Sequence, residues 1–375
     1  MNELTYKNYY NKVLGSWLGR IAGDFVGAPV EFMPYNDRKK KFGDITYYPK
    51  PIDLSYVNDD EMYEICALIA LEKYGINLTA KDIAEEWKER LYDQNFTAEY
   101  IALQNLRSGI LPPLSGQHNN IYFDAIGAQM RADIWGQVTP GSPELAKVYA
   151  MMDASISHAS IGIEGEIYVA SMISNAFFEN DVKEIVEKSL KILPNPSNSL
   201  YTQMVMKAME IYEGNSDNFQ EGREYLMHYW EKILLKKIAV EGVKGSKSES
   251  LLNRKRKRYL TFNRGLHVLP NIGIIILSLL YGREDEIDPF GRSICISAMM
   301  GLDTDCNCGN IGAILGAMLG SSAIPSKWSE PLQDHFSTYV KGYEAWKITE
   351  LARRVTEVGK KIIEEKCQGE IKLIE

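Results

Sequence analysis

The amino-acid sequence predicts an all-α fold, formed by a single compact domain of many helices. Apolar residues recur at helical spacing along most of the 375 residues, and the best strand-like alternation is confined to residues 45–48. Apolar residues make up 45% of the chain and charged residues 25%, a balance typical of globular proteins that bury a large core. Neither a repeat nor a shift in composition divides the chain. We therefore expect residues 1–375 to form one domain, with residues 328–375 as a C-terminal helical extension.

The helices follow from these apolar stripes, taken in chain order. The first stripe lies between residues 6 and 33 and includes Trp17 and Ile21, and the second begins at Met62. Further helices are predicted over residues 80–92, 97–107, 125–136, 143–156, 164–178, 181–193, 199–213, 218–238, 265–281, 287–300, 308–319 and 328–365. The stretch 194–199, rich in proline and asparagine, is the clearest loop, and Ser199 is a candidate cap for the helix that follows it.

Two of the predicted helices carry glycine at every fourth position. The positions are Gly15, Gly19, Gly23 and Gly27 in the first helix, and Gly312, Gly316 and Gly320 near the C-terminus. Each glycine inside a helix costs about 1 kcal/mol relative to alanine, so these rows need a compensating interaction. Close approach of another helix backbone supplies one. The alternative is that both segments are loops, but the apolar period runs through them.

Charge and cysteine content narrow the class of protein. The formal net charge is −8, which does not favour a dedicated nucleic-acid binder. The longest apolar run, residues 272–281, is far shorter than the roughly 20 residues of a membrane span. Five cysteines are sparse and odd in number, which indicates reduced thiols in a cytoplasmic protein. The basic run 254–258 predicts a solvated loop, with contact to an acidic partner or a nucleic-acid backbone as the alternative.

Acidic residues are concentrated in three short segments, each beside a predicted helix. The segments are Gly23–Glu31, Asn58–Glu61 and Gly301–Asn307. An aspartate at a helix start is usually a cap, so each segment alone has a purely structural interpretation. Several carboxylates brought together without a cation would repel one another strongly. Carboxylates in this number are typical ligands of Mg²⁺, Mn²⁺ or Ca²⁺, and Asp59 and Asp60 could each reach one ion of a pair.

These motifs, in this order, resemble those of the ADP-ribosylglycohydrolase family, the group that includes dinitrogenase-reductase-activating glycohydrolase. The matched segments are Gly23-Asp24 through Glu31, Asn58-Asp59-Asp60-Glu61, Gln129-Met130-Arg131 after Gly127, Ser157-His158, and Gly301 through Gly312. They span residues 15 to about 330. No single match is decisive, but the ordered set is specific.

The resemblance implies an all-α domain of the ADP-ribosylglycohydrolase type with a centre of two Mg²⁺ ions, for which Mn²⁺ is an alternative. The ligands it implies are Asn58, Asp59, Asp60, Asp303 and Asp305. It also implies that Glu31 lies on a loop over the ions, where it polarises a water molecule or protonates the leaving group. From the chemistry alone, cleavage at C1 of a ribose develops oxocarbenium character, which a nearby carboxylate and a general acid or base assist.

The chain departs from the family pattern at three positions. Asn58 stands where the family has its first threonine ligand, Glu61 replaces the second threonine, and Cys306 replaces the last threonine or serine. An amide oxygen can still bind Mg²⁺, whereas a thiol is a poor partner for this ion.

Five further residues are candidates for substrate binding. They are Asp24, Gly127, Arg131, His158 and Glu166. For Arg131 the alternatives are a phosphate contact and a structural ion pair. His158 either binds substrate or is a packing histidine, and Glu166 is a candidate for a supporting carboxylate behind the metals.

The expected function is therefore that of a metal-dependent hydrolase. It would cleave the glycosidic bond of ADP-ribose attached to a protein, nucleotide or small-molecule acceptor, or that of a related ribosyl compound. Its expected partner is the ADP-ribosylated protein or small molecule, with no membrane. The alternative is a non-catalytic ADP-ribose-binding or structural relative that keeps the fold, which the substitutions at Asn58 and Cys306 leave open.

Overall fold

The structure confirms the all-α prediction. It is a computed structural model that describes residues 2–92, 95–240, 249–367 and 369–374. The α-helices, numbered in chain order, are α1 Tyr6–Gly27, α2 Tyr35–Phe42, α3 Asp60–Tyr74, α4 Ala80–Arg90, α5 Thr97–Arg107, α6 Leu114–Gln117, α7 Gly127–Met130, α8 Asp133–Gln137, α9 Pro143–Ala154, α10 Ile161–Ala176, α11 Val182–Leu190, α12 Leu200–Gly214, α13 Phe219–Tyr229, α14 Leu235–Val240, α15 Glu249–Phe262, α16 Val268–Gly282, α17 Pro289–Met300, α18 Thr304–Leu319, α19 Ser326–Ser329 and α20 Ile348–Lys366. A single π-helical turn, Trp230–Leu234, joins α13 to α14.

The strands of the described chain are short. β1 (Asn2–Thr5) pairs in parallel with β4 (Ile371–Ile374), and β2 (Phe336–Ser337) pairs antiparallel with β3 (Ala345–Trp346). The β2–β3 hairpin interrupts the helix predicted over residues 328–365. Helix α20, which follows the hairpin, buries an apolar face that includes Leu351 and Val355. The division of the chain at residue 328 stays a prediction.

Most predicted helices form, and the differences have local causes. The segment 125–136 forms two short helices, α7 and α8, and the helix predicted from residue 308 already begins at Thr304. Helix α2 was not predicted because eight residues with three consecutive lysines carry no apolar period. The predicted strand 45–48 is irregular, and Tyr48 instead donates a hydrogen bond to the carbonyl of Trp328. The basic run 254–258 lies within α15, so the loop prediction was wrong.

Helices α1 and α18 pack backbone to backbone along the two rows of glycine. A methyl group placed at Gly19 would overlap the carbonyl of Gly312, and one placed at Gly15 would overlap that of Gly316. Farther along α1, Gly27 lies against the backbone of Thr304 in the same way. The predicted close approach is therefore present, and it brings the C-terminal end of α1 beside the N-terminal end of α18.

The two helices lie in the middle of a single apolar cluster. α16 is buried on all sides, as expected of a helix whose residues are almost all apolar. At the end of the α1–α18 contact farthest from Gly27, the ammonium group of Lys12 is buried. It donates hydrogen bonds to the carbonyls of Ala317 (3.0 Å) and Met318 (2.7 Å). In the described part of the chain no helix is both long enough and apolar enough to cross a membrane.

We expect Gly19→Ala to destabilise the protein, because the new methyl group must push α1 away from α18. Overpacking of this kind typically costs about 1–3 kcal/mol and sometimes more. Urea unfolding followed by circular dichroism measures the change. Gly214→Ala is the matched control, since a methyl group at that helical position meets open space. Equal stability of the Gly19 variant and the wild type would show that the two backbones can separate at no cost.

Candidate active site

The three acidic segments converge at one end of the contact between the glycine rows of α1 and α18, which we call the glycine ridge. α1 leads through a 3-10 turn, Ala28–Val30, to Glu31, while Asp59 and Asp303 occupy the N-cap positions of α3 and α18. Neither aspartate side chain makes a capping hydrogen bond to its helix in the described structure. The capping interpretation therefore fails at both positions, and both carboxylates are free for another role.

Two sets of ligand atoms are close enough to surround a cation. One set comes from Asp60, Asp305 and Cys306, and the other from Glu31, Asp303 and Asp305. Within each set the atoms lie within 4.8 Å of one another. Asp305 belongs to both sets, and its Oδ1 is buried without a hydrogen-bond partner in the described structure.

The other two predicted ligands lie at the same place but outside these sets. Asn58 and Asp59 line the cleft above the two sets. The side-chain oxygen of Asn58 accepts a hydrogen bond from the backbone N–H of Asp59 at 2.9 Å. Three of the five predicted ligands, Asp60, Asp303 and Asp305, therefore belong to the donor sets, and the other two line the same cleft.

Crowding of these carboxylates opposes their ionisation. Burial, and then repulsion from Asp305, hold the pKa values of Asp59, Asp60 and Asp303 well above the ordinary range of a carboxyl group. Glu31 is partly open to solvent, yet desolvation and the nearby Asp305 raise its pKa to about 8. A divalent cation among these groups would offset the repulsion, which makes the donor set chemically suited to one.

Arg20 is a buried cation directly beneath the cluster. Its guanidinium group bonds Asp133 at 2.6 Å and Asp60 at 3.1 Å, and lies 3.6 Å from Asp24. The Asp60 carboxylate thus turns one oxygen to Arg20, while its other oxygen accepts a hydrogen bond from the Cys306 thiol at 3.4 Å. Burial and the surrounding carboxylates raise the pKa of that thiol well above its ordinary value, so Cys306 stays neutral.

Glu31, Asp59, Asp303 and Asp305 line a cleft of about 670 Å³, while Asp60 lies buried outside its lining. Four partly exposed aromatic side chains also line it: Phe32, Tyr56, Phe96 and Tyr339. Among the residues that the structure describes, no lysine or arginine lines this cleft. The described lining of the cleft therefore offers carboxylates at its floor and ring surfaces at its wall.

Two hydrogen bonds, one between backbone groups and one from a side chain, hold the Glu31 loop against the Asp303 loop. The N–H of Phe32 donates to the carbonyl of Leu302 at 2.9 Å, and the Thr304 hydroxyl donates to the carbonyl of Gly27 at 2.8 Å. Phe32 and Leu302 have φ angles of 49° and 74°, which are uncommon for residues other than glycine. Strained conformations of this kind persist where the surrounding structure fixes them, often at functional sites.

Of the five predicted substrate-binding residues, only Gly127 lines the cleft. Asp24 is buried against Arg20. Arg131 is fully buried and bonds Glu99 and Asp153, each at 2.9 Å, which makes it the structural ion pair of the two alternatives.

His158 and Glu166 are also fully buried, and they lie around Arg131. His158 exchanges a hydrogen bond with the Ser157 hydroxyl at 2.8 Å, and Glu166 lies 3.9 Å from the guanidinium group of Arg131. Direct contact of Asp24, Arg131, His158 or Glu166 with a ligand in the cleft is therefore not supported. Of these four, Arg131 directly bonds a group that lines the cleft, the carboxylate of Glu99.

Glu99 lines the cleft and was missed by sequence reasoning. Arg131 holds its carboxylate from behind, and Gly127 leaves the space that this carboxylate fills, since a methyl group at Gly127 would overlap it. Burial raises the pKa of Glu99 to about 7, against the opposing effect of Arg131. A single glutamate in the first turn of an ordinary helix gives no signal in the sequence, because only the tertiary contact distinguishes it.

Comparison with known proteins identifies the family and the fold to which this site belongs. A family model described as ADP-ribosylglycohydrolase matches residues 5–363 of the chain. Among solved structures, the chain is similar to one described as "ADP-ribosylglycohydrolase-related protein complex", with 17% sequence identity and a TM-score of 0.58. The match covers 94% of this chain and 99% of the other, and at this identity it shows the fold. A search of curated protein sequences found no match.

We expect Arg20→Met to lower the free energy of unfolding by about 3–5 kcal/mol, because it leaves buried carboxylates without their cation. Arg353→Met is the control, since Arg353 forms an ion pair with Glu350 in which both side chains are about half exposed. Loss of an exposed pair changes stability little, because water screens the two charges. Urea unfolding compares the two variants. An equal loss in both would mean that Arg20 does not hold the acidic cluster.

Proposed function

The chain belongs to the ADP-ribosylglycohydrolase family, and on this premise we propose that it is a metal-dependent hydrolase. It cleaves the glycosidic bond between ADP-ribose and a protein, nucleotide or small-molecule acceptor, or that of a related ribosyl compound. The observation that carries the proposal is the pair of cation-sized donor sets that share Asp305, one of which includes Glu31, in an acidic cleft.

The donor chemistry supports Mg²⁺, with Mn²⁺ as the alternative. Asp60 and Asp305 would hold one ion and Asp303 and Asp305 the other, with Asn58 and Asp59 nearby to complete the shells. Glu31, the third member of the second set, is left for proton transfer. Oxygen donors suit these hard cations, whereas the neutral thiol of Cys306 does not. Cys306 serves instead to orient Asp60 through the hydrogen bond between them. When bound, such ions would supply a positive surface for the vicinal ribose hydroxyls and for a water molecule.

Two carboxyl groups of the cleft are candidates for proton transfer. Cleavage at C1 of the ribose passes through an oxocarbenium-like transition state, which needs an acid for the leaving group and a base for water. Glu31 lies at the edge of the cleft on the loop that Phe32 ties to Leu302. Glu99 lies in the same cleft, and a pKa of about 7 suits it to either role near neutral pH.

The second candidate function is a non-catalytic relative that binds ADP-ribose. Cys306 in place of a hydroxyl ligand favours it, because one ion would lose a donor. Calorimetric titration with Mg²⁺, followed by assays on ADP-ribosylated arginine, serine and nucleotide, separates the two functions. Metal binding without turnover on any of these compounds would favour the binding protein. The cytoplasmic location and the identity of the acceptor stay predictions of the sequence.

We expect Asp303→Asn combined with Asp305→Asn to abolish Mg²⁺ binding in calorimetry, since both donor sets lose carboxylates. The helical circular dichroism spectrum should be unchanged, because neither carboxylate caps a helix. Asp53→Asn is the matched control: Asp53 lines the same cleft but belongs to neither donor set. Wild-type Mg²⁺ affinity in the double variant would refute the assignment of the metal site.

We expect Glu31→Gln to keep the affinities for Mg²⁺ and ADP-ribose within about threefold while turnover falls by roughly 10²–10⁴-fold, the usual contribution of a general acid or base. Steady-state hydrolysis of the best substrate measures the change, with Glu350→Gln as a surface control. If Glu31→Gln keeps full turnover and Glu99→Gln loses it, the proton-transfer role belongs to Glu99.

A further inference from the structure

We propose that a groove beside helix α15, at a distance along the surface from the acidic cleft, binds a phosphate group of a nucleotide-type ligand. We name it the basic groove, and the lining residues that matter here are Tyr122, Lys255, Arg258, Tyr259, Phe262 and Asn263. Its volume is about 600 Å³. The basic run of the sequence thereby gains a function that the glycosidic site does not use.

The charge of the basic groove is opposite to that of the cleft. Lys255 and Arg258 line it, and none of the described residues that line it is acidic. Neither cation forms an ion pair within the described ranges of the chain, although the protein carries a net charge of −8. Two unpaired cations facing a concave surface of a net-acidic protein attract an anion to that surface.

One buried ion pair determines which side chains of α15 face the groove. Arg256 points inward, where its guanidinium group bonds the Asp124 carboxylate and donates to the carbonyl of Ile121 at 2.9 Å. Arg256 also stacks over the ring of Phe123, 4.2 Å from its centroid. With this residue fixed, Lys255 and Arg258, three positions apart, lie on the face that lines the groove.

The basic groove also contains aromatic side chains, which could contact the organic part of a phosphate-bearing ligand. Tyr259 lines it and is 2% exposed, and its hydroxyl has no hydrogen-bond partner among the described residues. The ring of Tyr259 meets that of Tyr122 edge to face, with centroids 4.9 Å apart. Aromatic rings beside cations are the usual surface for a base joined to a phosphate.

An intermediate cavity shares lining residues with both the basic groove and the acidic cleft. Between them lies a cavity of about 500 Å³, which shares Phe262 and Asn263 with the groove and Phe32 and Leu266 with the cleft. A substrate held at the cleft could therefore extend toward α15. This placement on the substrate path rests on the proposed function, whereas the phosphate binding itself does not.

The test measures phosphate binding without metal and without turnover. Fluorescence anisotropy of a short labelled single-stranded DNA is followed in EDTA at several salt concentrations, with inorganic pyrophosphate and ADP-ribose as competitors. Lys255→Glu combined with Arg258→Glu should weaken DNA binding at least about tenfold. Loss of two phosphate contacts should also reduce the slope of log affinity against log salt by about 1.4.

Lys257→Glu combined with Lys361→Glu is the matched control, since both side chains are exposed, lie outside the groove and change the net charge equally. It should weaken binding less than about threefold. Equal weakening by both double variants, or no binding of any phosphate probe to the wild type at millimolar concentration, would overturn the proposal.

The competitors identify the source of the phosphate. If ADP-ribose affinity falls together with DNA affinity in the groove variant, the diphosphate of the substrate itself occupies the groove. If only DNA affinity falls, the groove holds a phosphate of the acceptor. Because the readout needs neither Mg²⁺ nor hydrolysis, failure of the glycohydrolase assay and failure of this proposal are separate results.

Discussion

Contact between the backbones of α1 and α18 is the constraint on which the rest of the site depends. Side chains normally hold two packed helices apart. Rows of glycine allow the backbone carbonyl groups of one helix to contact the backbone of the facing helix directly. At Gly27 and Thr304 this contact continues to the ends of both helices. The loop that carries Glu31 and the turn that carries Asp303 are therefore fixed to each other through rigid elements, and the Phe32–Leu302 hydrogen bond completes the connection.

The electrostatics of the site follow from this arrangement. Several carboxylates are gathered at low solvent exposure, and the structure compensates them only in part, through Arg20 below the donor sets and Arg131 behind Glu99. Buried charges of one sign reduce stability unless a partner neutralises them. The cleft floor thus keeps a preference for positive charge, whereas the cations Lys255 and Arg258 line a separate groove.

The sequence predicts much of this because the motifs combine local and chemical signals. The apolar period locates most helices, and the acidic segments Gly23–Glu31, Asn58–Glu61 and Gly301–Asn307 do meet. Prediction from the sequence fails where the contact partner of a side chain is determined only by the tertiary fold. Arg131 pairs with Glu99 and Asp153 rather than reaching a ligand, and Glu99 enters the cleft from a helix that carries no motif. Helix α15 was taken for a loop because its apolar residues are few, and Arg256 is held by Asp124, which is distant in sequence.

The regular spacing of the glycine rows leaves their alignment undetermined. Shifting α1 by four residues along α18 would place glycine against glycine again, so the glycine contacts alone do not distinguish one register from the next. Such a slip would displace one helix by about 6 Å and separate Glu31 from Asp305. Contacts that occur only once must therefore select the register. Lys12 supplies one by reaching the last carbonyls of α18, Asn11 another by accepting from Ser321, and the Thr304 hydroxyl a third at Gly27. Unrepeated polar contacts at both ends of a repetitive interface thus set where the acidic groups stand.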